Sequence, residues 1–275
     1  MTAATVPFAP PVALASLSGR ADATWARRGA AHAGAAFLGG ICVDTPTREA
    51  ARTMTDRGRT EFLPDDPLVF IDNQLRALRQ TPILPGVNVR STEPESTKAA
   101  AAVCRRHSAI VEINAHCRQT EMCAAGAGES LLREPPRLAA QVRAAVRAGP
   151  LVSVKLRAGL DGVSVRRVGR QAVAAGADLL HLDAMDSPDA VSAVAPLDAT
   201  VIANNGVRDF ESVAAYLRRG ADAVSVGRPS TNPTALNRIA TATERWNESQ
   251  SQSQSQSRTQ TQNQSRRDST GRRRS

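Results

Sequence analysis

Aromatic side chains make up only 3% of this 275-residue chain: two tryptophans, one tyrosine and five phenylalanines. Its core must therefore be packed mainly with Ala, Val, Leu and Ile, and a hydrophobic content of 41% is ample for that. No apolar run reaches the roughly 18 residues of a bilayer-spanning helix, which argues against a membrane protein. The four cysteines, Cys42, Cys104, Cys117 and Cys123, lack paired spacing, and a chain of this size does not need a disulfide framework. A reducing cytoplasm is the expected compartment. The opening MTAATVPFAPPVALASLSG has three prolines and no basic leader, so it reads as the approach to a first strand rather than a secretion signal.

Lysine is nearly missing as well. Of 35 basic residues only Lys98 and Lys155 are lysines. A compact ammonium fits sites that a planar guanidinium cannot, and Lys155 lies inside an apolar strand pattern, which marks it for attention. The formal charge of +9 favours polyanions, but +4 of it lies in NESQSQSQSQSRTQTQNQSRRDSTGRRRS, from Asn247 onward. That stretch is repetitive and poor in apolar residues, so residues 247–275 are expected to form a disordered tail. Residues 8–246 remain as a single domain.

Within it, strand-like and helix-like patterns alternate with a period of about 30 residues. Candidate strands are Pro11–Ser16, Ala35–Val43, Ile83–Arg90, Ile110–Ala115, Leu151–Arg157, Leu179–Ala184, Thr200–Asn204 and Ala223–Val226. Ala/Arg-rich amphipathic segments lie between them, several ending in Gly as helices do. Eight strand–helix units predict an α/β fold, a (β/α)8 TIM barrel. A doubly wound open sheet is the competitor, weakened by the lack of a Gly-x-Gly-x-x-Gly turn after the first strand. After the second strand, residues 61–78 predict a loop leading into an extra helix.

Strands of a parallel barrel are covered on both faces and should be apolar throughout. Four of these are not. Asn88 and Arg90 alternate with valines, as do Ser153, Lys155 and Arg157 with Val and Leu. Glu112 and Asn114 alternate with Val111 and Ile113, and His181 and Asp183 with leucines. The polar sets point into the barrel towards its C-terminal rim, where barrel enzymes place their sites. After the fourth strand come His116-Cys117 and a small-residue stretch, a setting that suits a reactive thiol better than packing. The Gly227-Arg228 and Asn205-Gly206 turns at the same rim suit a phosphate cradle. A metal reading of Cys104, His107, His116, Cys117 and Cys123 fails on distance, because a strand between residues 107 and 116 spans roughly 30 Å.

These motifs resemble the tRNA-dihydrouridine synthase family, especially its short archaeal-type relatives. The resemblance is carried by Asn114, Cys117, Gly126-Ala127-Gly128 and Leu131-Leu132, followed by Lys155-Leu156-Arg157-Ala158-Gly159, His181, Asn205-Gly206 and Gly227-Arg228. It runs over most of residues 11–229. The chain departs from the family pattern with His116-Cys117-Arg118 in place of Gly-Cys-Pro and Asn88 in place of a glutamine. The family's helical C-terminal domain has no counterpart after Pro229. The resemblance implies FMN on the C-terminal rim, with its phosphate on Asn205, Gly206, Gly227 and Arg228 and its reduced ring facing Lys155. Asn88 and His181 would complete the cradle, and the backbone of residues 15–18 would line one side. It further implies NADPH as reductant, hydride transfer to C6 of uridine in tRNA, and protonation of C5 by Cys117, with Asn114 and Arg157 positioning the substrate. Dihydroorotate dehydrogenases share the Asn-x-x-Cys and strand-lysine layout, so a free pyrimidine substrate is the alternative. A non-catalytic RNA-binding barrel is the third reading.

Overall fold

The protein is described by a computed structural model covering residues 6–185 and 187–271, with side chains through residue 252. Eight parallel strands close into a barrel in chain order. They are β1 (Val12–Leu14), β2 (Ala35–Cys42), β3 (Leu84–Arg90), β4 (Ile110–Asn114), β5 (Val152–Arg157), β6 (Leu179–Asp183), β7 (Thr200–Asn204) and β8 (Ala223–Val226). β1 pairs with both β2 and β8, which removes any free edge. The expected (β/α)8 barrel is thus the observed fold. The strand bounds shift by a residue or two, with β1 the shortest.

Each strand has two faces, and both are buried for different reasons. Val111 and Ile113 of β4, Val154 and Leu156 of β5 and Leu180 and Leu182 of β6 point outward and pack beneath the helices in the main core. Each such side chain contributes about 1.5–3 kcal/mol of burial. The helix Pro135–Ala148 shows how the outer layer is specified. Prolines open it where an N–H is not needed, and Leu138, Val142 and Ala145 recur at helical spacing on its buried face. Gly149 then ends it in the left-handed conformation, φ +86°.

Inside the barrel, the N-terminal ends of the strands carry Ala13, Ala35, Phe37, Ile110, Leu179, Ile202 and Ala223, an apolar plug closed from below by Phe8. Phe37 fits because position 86 on β3 is glycine; a Cβ there would come within 2.6 Å of the Phe37 ring. The extra helix expected after β2 is Pro67–Ala77, capped by Asp66, whose carboxylate accepts from Leu68 and Val69 N–H. At the opposite, C-terminal rim, Asp44 caps the helix Thr45–Asp56 and also accepts from Ser91 Oγ at 2.8 Å, tying the loops after β2 and β3 together.

The last helix runs Pro233–Gly271, into the stretch expected to be disordered. Leu236, Ile239 and Ala242 anchor its first turns in the core, whereas residues 247–252 are all exposed. From Asn247 to Gly271 the sequence holds no apolar side chain with which to build a buried face. Side chains 253–271 and residues 272–275 of the expected tail lie outside the described residues.

Candidate active site

Two residues beyond the plug the barrel interior turns polar, and Glu112 is its hub. Glu112 is fully buried, and both carboxylate oxygens are used. Oε1 accepts from Asn88 Nδ2 at 2.7 Å; Oε2 accepts from Ser153 Oγ at 3.1 Å and from His181 Nδ1 at 2.7 Å. A carboxylate can only accept, so the hydrogen of His181 sits on Nδ1 and Nε2 faces Ser225 Oγ at 2.7 Å. Ser225 in turn accepts from Asn204 Nδ2 at 2.6 Å. Burial would push the Glu112 pKa up, but His181, Lys155 and Asn88 outweigh it and hold the carboxyl near about 2. Burial pushes His181 down despite Glu112 beside it, which keeps the ring neutral. This is a fully satisfied polar layer spanning six strands, β3 to β8.

Asn88 carries the network upward. Its Oδ1 accepts from Asn114 Nδ2 at 2.8 Å, and Asn114 Oδ1 accepts the backbone N–H of His116 at 3.2 Å and of Cys117 at 2.9 Å. Asn114 therefore sets the turn that presents Cys117. The turn is closed from the other side, where Cys117 O accepts from Glu129 N–H at 2.9 Å. Gly128 is required at that point, since a Cβ would come within 2.4 Å of Cys117 O.

Two adjoining cavities open on this rim. The smaller, about 180 Å³, is lined by Cys117, Asn114, Arg90 and Ser18 among others. The larger, about 730 Å³, is lined by Lys155, Ser225, Asn205, Gly206, Gly227 and Arg228. The structure thus brings Lys155 and the two glycine turns around one cavity, with Cys117 and Asn114 beside it. Asn88 and His181 are fully buried beneath and line neither cavity; they hold Glu112 instead. Arg157 lines neither cavity and pairs with Glu129.

Lys155 is 2% exposed and has no hydrogen-bond or ion-pair partner among the described residues. Burial lowers its pKa, opposed by the charges of Glu112 and Asp183. An unmatched buried ammonium on a cavity wall fits an electron-rich or anionic ring edge. Gly227 faces open space, so its backbone lies bare to the cavity. The Asn205-Gly206 turn is pinned by Tyr216 Oη, which donates to Asn205 O at 2.6 Å. Ser225 and Asn204 extend the polar alternation to β7 and β8, a signal present in the sequence but unused above. Glu61 could not have been found that way. It comes from the loop after the Thr45–Asp56 helix and accepts from Arg90 Nη1 at 2.7 Å, while Arg90 Nη2 reaches Ser18 Oγ. Burial opposes the charge of the same guanidinium, and the paired Glu61 carboxylate holds it charged.

A closed (β/α)8 barrel with a charged interior layer and a polar cavity on its C-terminal rim defines a barrel-enzyme type of site. Residues 43–270, most of the chain, match the dihydrouridine synthase (Dus) family, and the chain belongs to that family. Over 124 residues it is 30% identical to an uncharacterized protein of Methanocaldococcus jannaschii, an alignment covering 44% of this chain and 48% of the relative. Over 157 residues it is 31% identical to tRNA-dihydrouridine synthase B of Xanthomonas campestris, covering 52% of this chain and 47% of that protein. The chain thus spans about half the length of the curated relatives it matches. Among solved structures, FabK from Thermotoga maritima superposes with a TM-score of 0.54 at 18% identity, over 80% of this chain and 58% of the other. A thiamine phosphate pyrophosphorylase from Pyrococcus furiosus gives 0.50 at 12%, over 85% and 95%. At such identities the likeness is one of fold alone.

Proposed function

We propose that this protein is an FMN-dependent oxidoreductase of the tRNA-dihydrouridine synthase type, reducing the C5–C6 double bond of uridine in tRNA with NADPH as reductant. The observation that carries the reading is Lys155, buried and unpartnered on the wall of the larger cavity, with the Cys117 turn on the adjoining one. The backbone of Gly227 and the Asn205-Gly206 turn, with Arg228, would hold the FMN phosphate. Lys155 would face the ring edge where negative charge collects on reduction. Glu112, Asn88, Ser153 and His181 form the rigid layer beside Lys155. FMN, when bound, supplies the hydride chemistry. Cys117 holds the proton for C5 at Sγ, with its backbone fixed by Asn114, so the acid is positioned before substrate arrives. Arg157 acts at the edge of this site through Glu129. Among the described residues no helix is long and apolar enough to cross a membrane, and all four cysteines are free, in keeping with the cytoplasm as the compartment.

The test has three parts. Purified protein is expected to carry FMN or to bind it when added, and Lys155→Met to lose that binding. Cys117→Ser is expected to keep FMN and lose turnover by about 10²–10⁴-fold, the usual worth of a positioned acid. Deleting the protein should lower the dihydrouridine content of tRNA. Unchanged tRNA with an intact flavin site would move the substrate to a free pyrimidine, and a chain that cannot bind FMN would overturn the enzyme reading.

A further inference from the structure

His116 and Asp183 each line both cavities, so they stand at the junction between the Lys155 compartment and the Cys117 compartment. His116 arrives on the turn after β4 and Asp183 at the end of β6, and His116 Nε2 lies 3.4 Å from Asp183 Oδ2. The other carboxylate oxygen is already committed. Asp183 Oδ1 accepts from Met185 N–H and from Asn205 Nδ2, both at 3.2 Å. Burial would raise the Asp183 pKa, but His116, Met185 N–H and Lys155 hold it near about 2, so it is an ionised, acceptor-only group.

That fixes the tautomer of the histidine. Nε2 must carry the hydrogen to meet Asp183, so the neutral ring presents Nδ1 as a bare acceptor. Nδ1 is buried and has no hydrogen-bond partner among the described residues. The charged and titratable groups facing the ring are Asp183, Lys155 and His181, with Arg59, Arg90, Arg118 and Cys117 on the smaller cavity's wall. Burial, with Lys155 and His181 adding to it and Asp183 opposing, keeps the His116 pKa below its ordinary value. At neutral pH the junction therefore holds one unmet acceptor, and the ligand that completes it must bring a donor.

We propose that His116, oriented by Asp183, is the specificity-determining residue of this site: its Nδ1 accepts the N3–H of a uracil ring and rejects a ring whose N3 is bare or methylated. The proposal rests on the reading that a pyrimidine enters beside Cys117, and it names the group that reads that ring. A uracil offers N3–H as a donor. A cytosine presents a lone pair at the same position, which would face the Nδ1 lone pair, and an N3-methyl group would fill the space of the hydrogen bond. The glycine of the family pattern at this position offers no such acceptor, so this means of discrimination belongs to the present chain.

Nitrogen NMR of the imidazole rings in the full-length protein tests this directly. The chain has only four histidines, His32, His107, His116 and His181, and His116→Phe assigns the ring in question by its disappearance. The probes are uridine 5′-monophosphate, its N3-methyl derivative and cytidine 5′-monophosphate. The wild-type ring is expected in the Nε2–H form, with uridine monophosphate shifting its Nδ1 resonance. The other two nucleotides should bind about ten-fold more weakly or worse, and His116→Phe should erase that difference. In Asp183→Asn the side-chain oxygen stays with Met185 and Asn205, and the introduced amide donates to Nε2. The ring should then flip to the Nδ1–H form and favour cytidine monophosphate. An Nδ1–H tautomer in the wild type overturns the proposal, as does equal affinity for the three nucleotides, including the case in which none binds. FMN binding, followed by absorbance on the same samples, separates the two ideas. Failure to bind FMN with the nucleotide pattern intact counts against the flavoenzyme alone, and FMN binding without the pattern counts against His116 alone.

Discussion

Along β4, β6, β7 and β8, Ile110, Leu179, Ile202 and Ala223 belong to the apolar plug, and two positions further on stand Glu112, His181, Asn204 and Ser225. The two layers touch, with the Phe37 and His181 rings 5.2 Å apart. The plug is stabilised by filling space, and any apolar set of matching volume could serve. The polar layer is stabilised by complementarity, because each buried group depends on a particular partner. The first keeps water out from below, and the second thereby lies in a low-dielectric setting where Glu112 must be matched group for group.

Substitutions in the two layers should therefore cost alike and respond differently to acid. Phe37→Ala and Glu112→Ala are each expected to lower stability by about 3–5 kcal/mol in urea unfolding, the first by a cavity, the second by stranding Asn88, Ser153 and His181. Equal acid sensitivity of the two variants would break the comparison. The Glu112 carboxyl is held near about 2 against an ordinary 4.5, and that of Asp183 near about 2 against 3.8. Depressed carboxylates stabilise the fold above their unfolded values and stop doing so as pH falls through the folded ones. The neutral, buried His181 acts in the same sense from pH 6.5 downward, since only the unfolded chain takes up its proton readily. Stability should thus drain by on the order of 5 kcal/mol between neutral pH and pH about 2. Phe37→Ala should keep that slope and Glu112→Ala should flatten it.

A smaller effect sharpens the picture. Ser153→Ala removes one of three donors to Glu112 and is expected to cost about 1 kcal/mol, without changing FMN binding. The smallest belongs to neither layer. Removing the chain from Asn247 onward should alter unfolding by under about 0.5 kcal/mol, because residues 247–252 are exposed. A larger loss would mean that the distal helix packs on the barrel.

The barrel and its inward polar positions were legible because alternation along a strand reports which face a residue occupies. Partners are another matter. Nothing in the spacing of Glu112 says that it will gather Asn88, Ser153 and His181 from three other strands. The Arg90–Glu61 and His116–Asp183 pairs join loops to strand ends across the rim, and Arg157 is taken up by Glu129. Such pairs depend on the register of neighbouring strands and on loop paths, which no local pattern encodes. Lys155 was marked twice over, by the scarcity of lysine and by its alternation with Val154 and Leu156.

That scarcity also makes the cavity a natural target for covalent labelling. Of the two lysine side chains, Lys98 is 45% exposed and Lys155 is 2% exposed, and the lowered pKa of Lys155 leaves more of its amine in the nucleophilic form. A small amine-directed reagent would give a footprint with only two lysine sites beside the α-amino group, Lys98 serving as an internal standard and Lys155 reporting, by its protection, whether the cavity is filled.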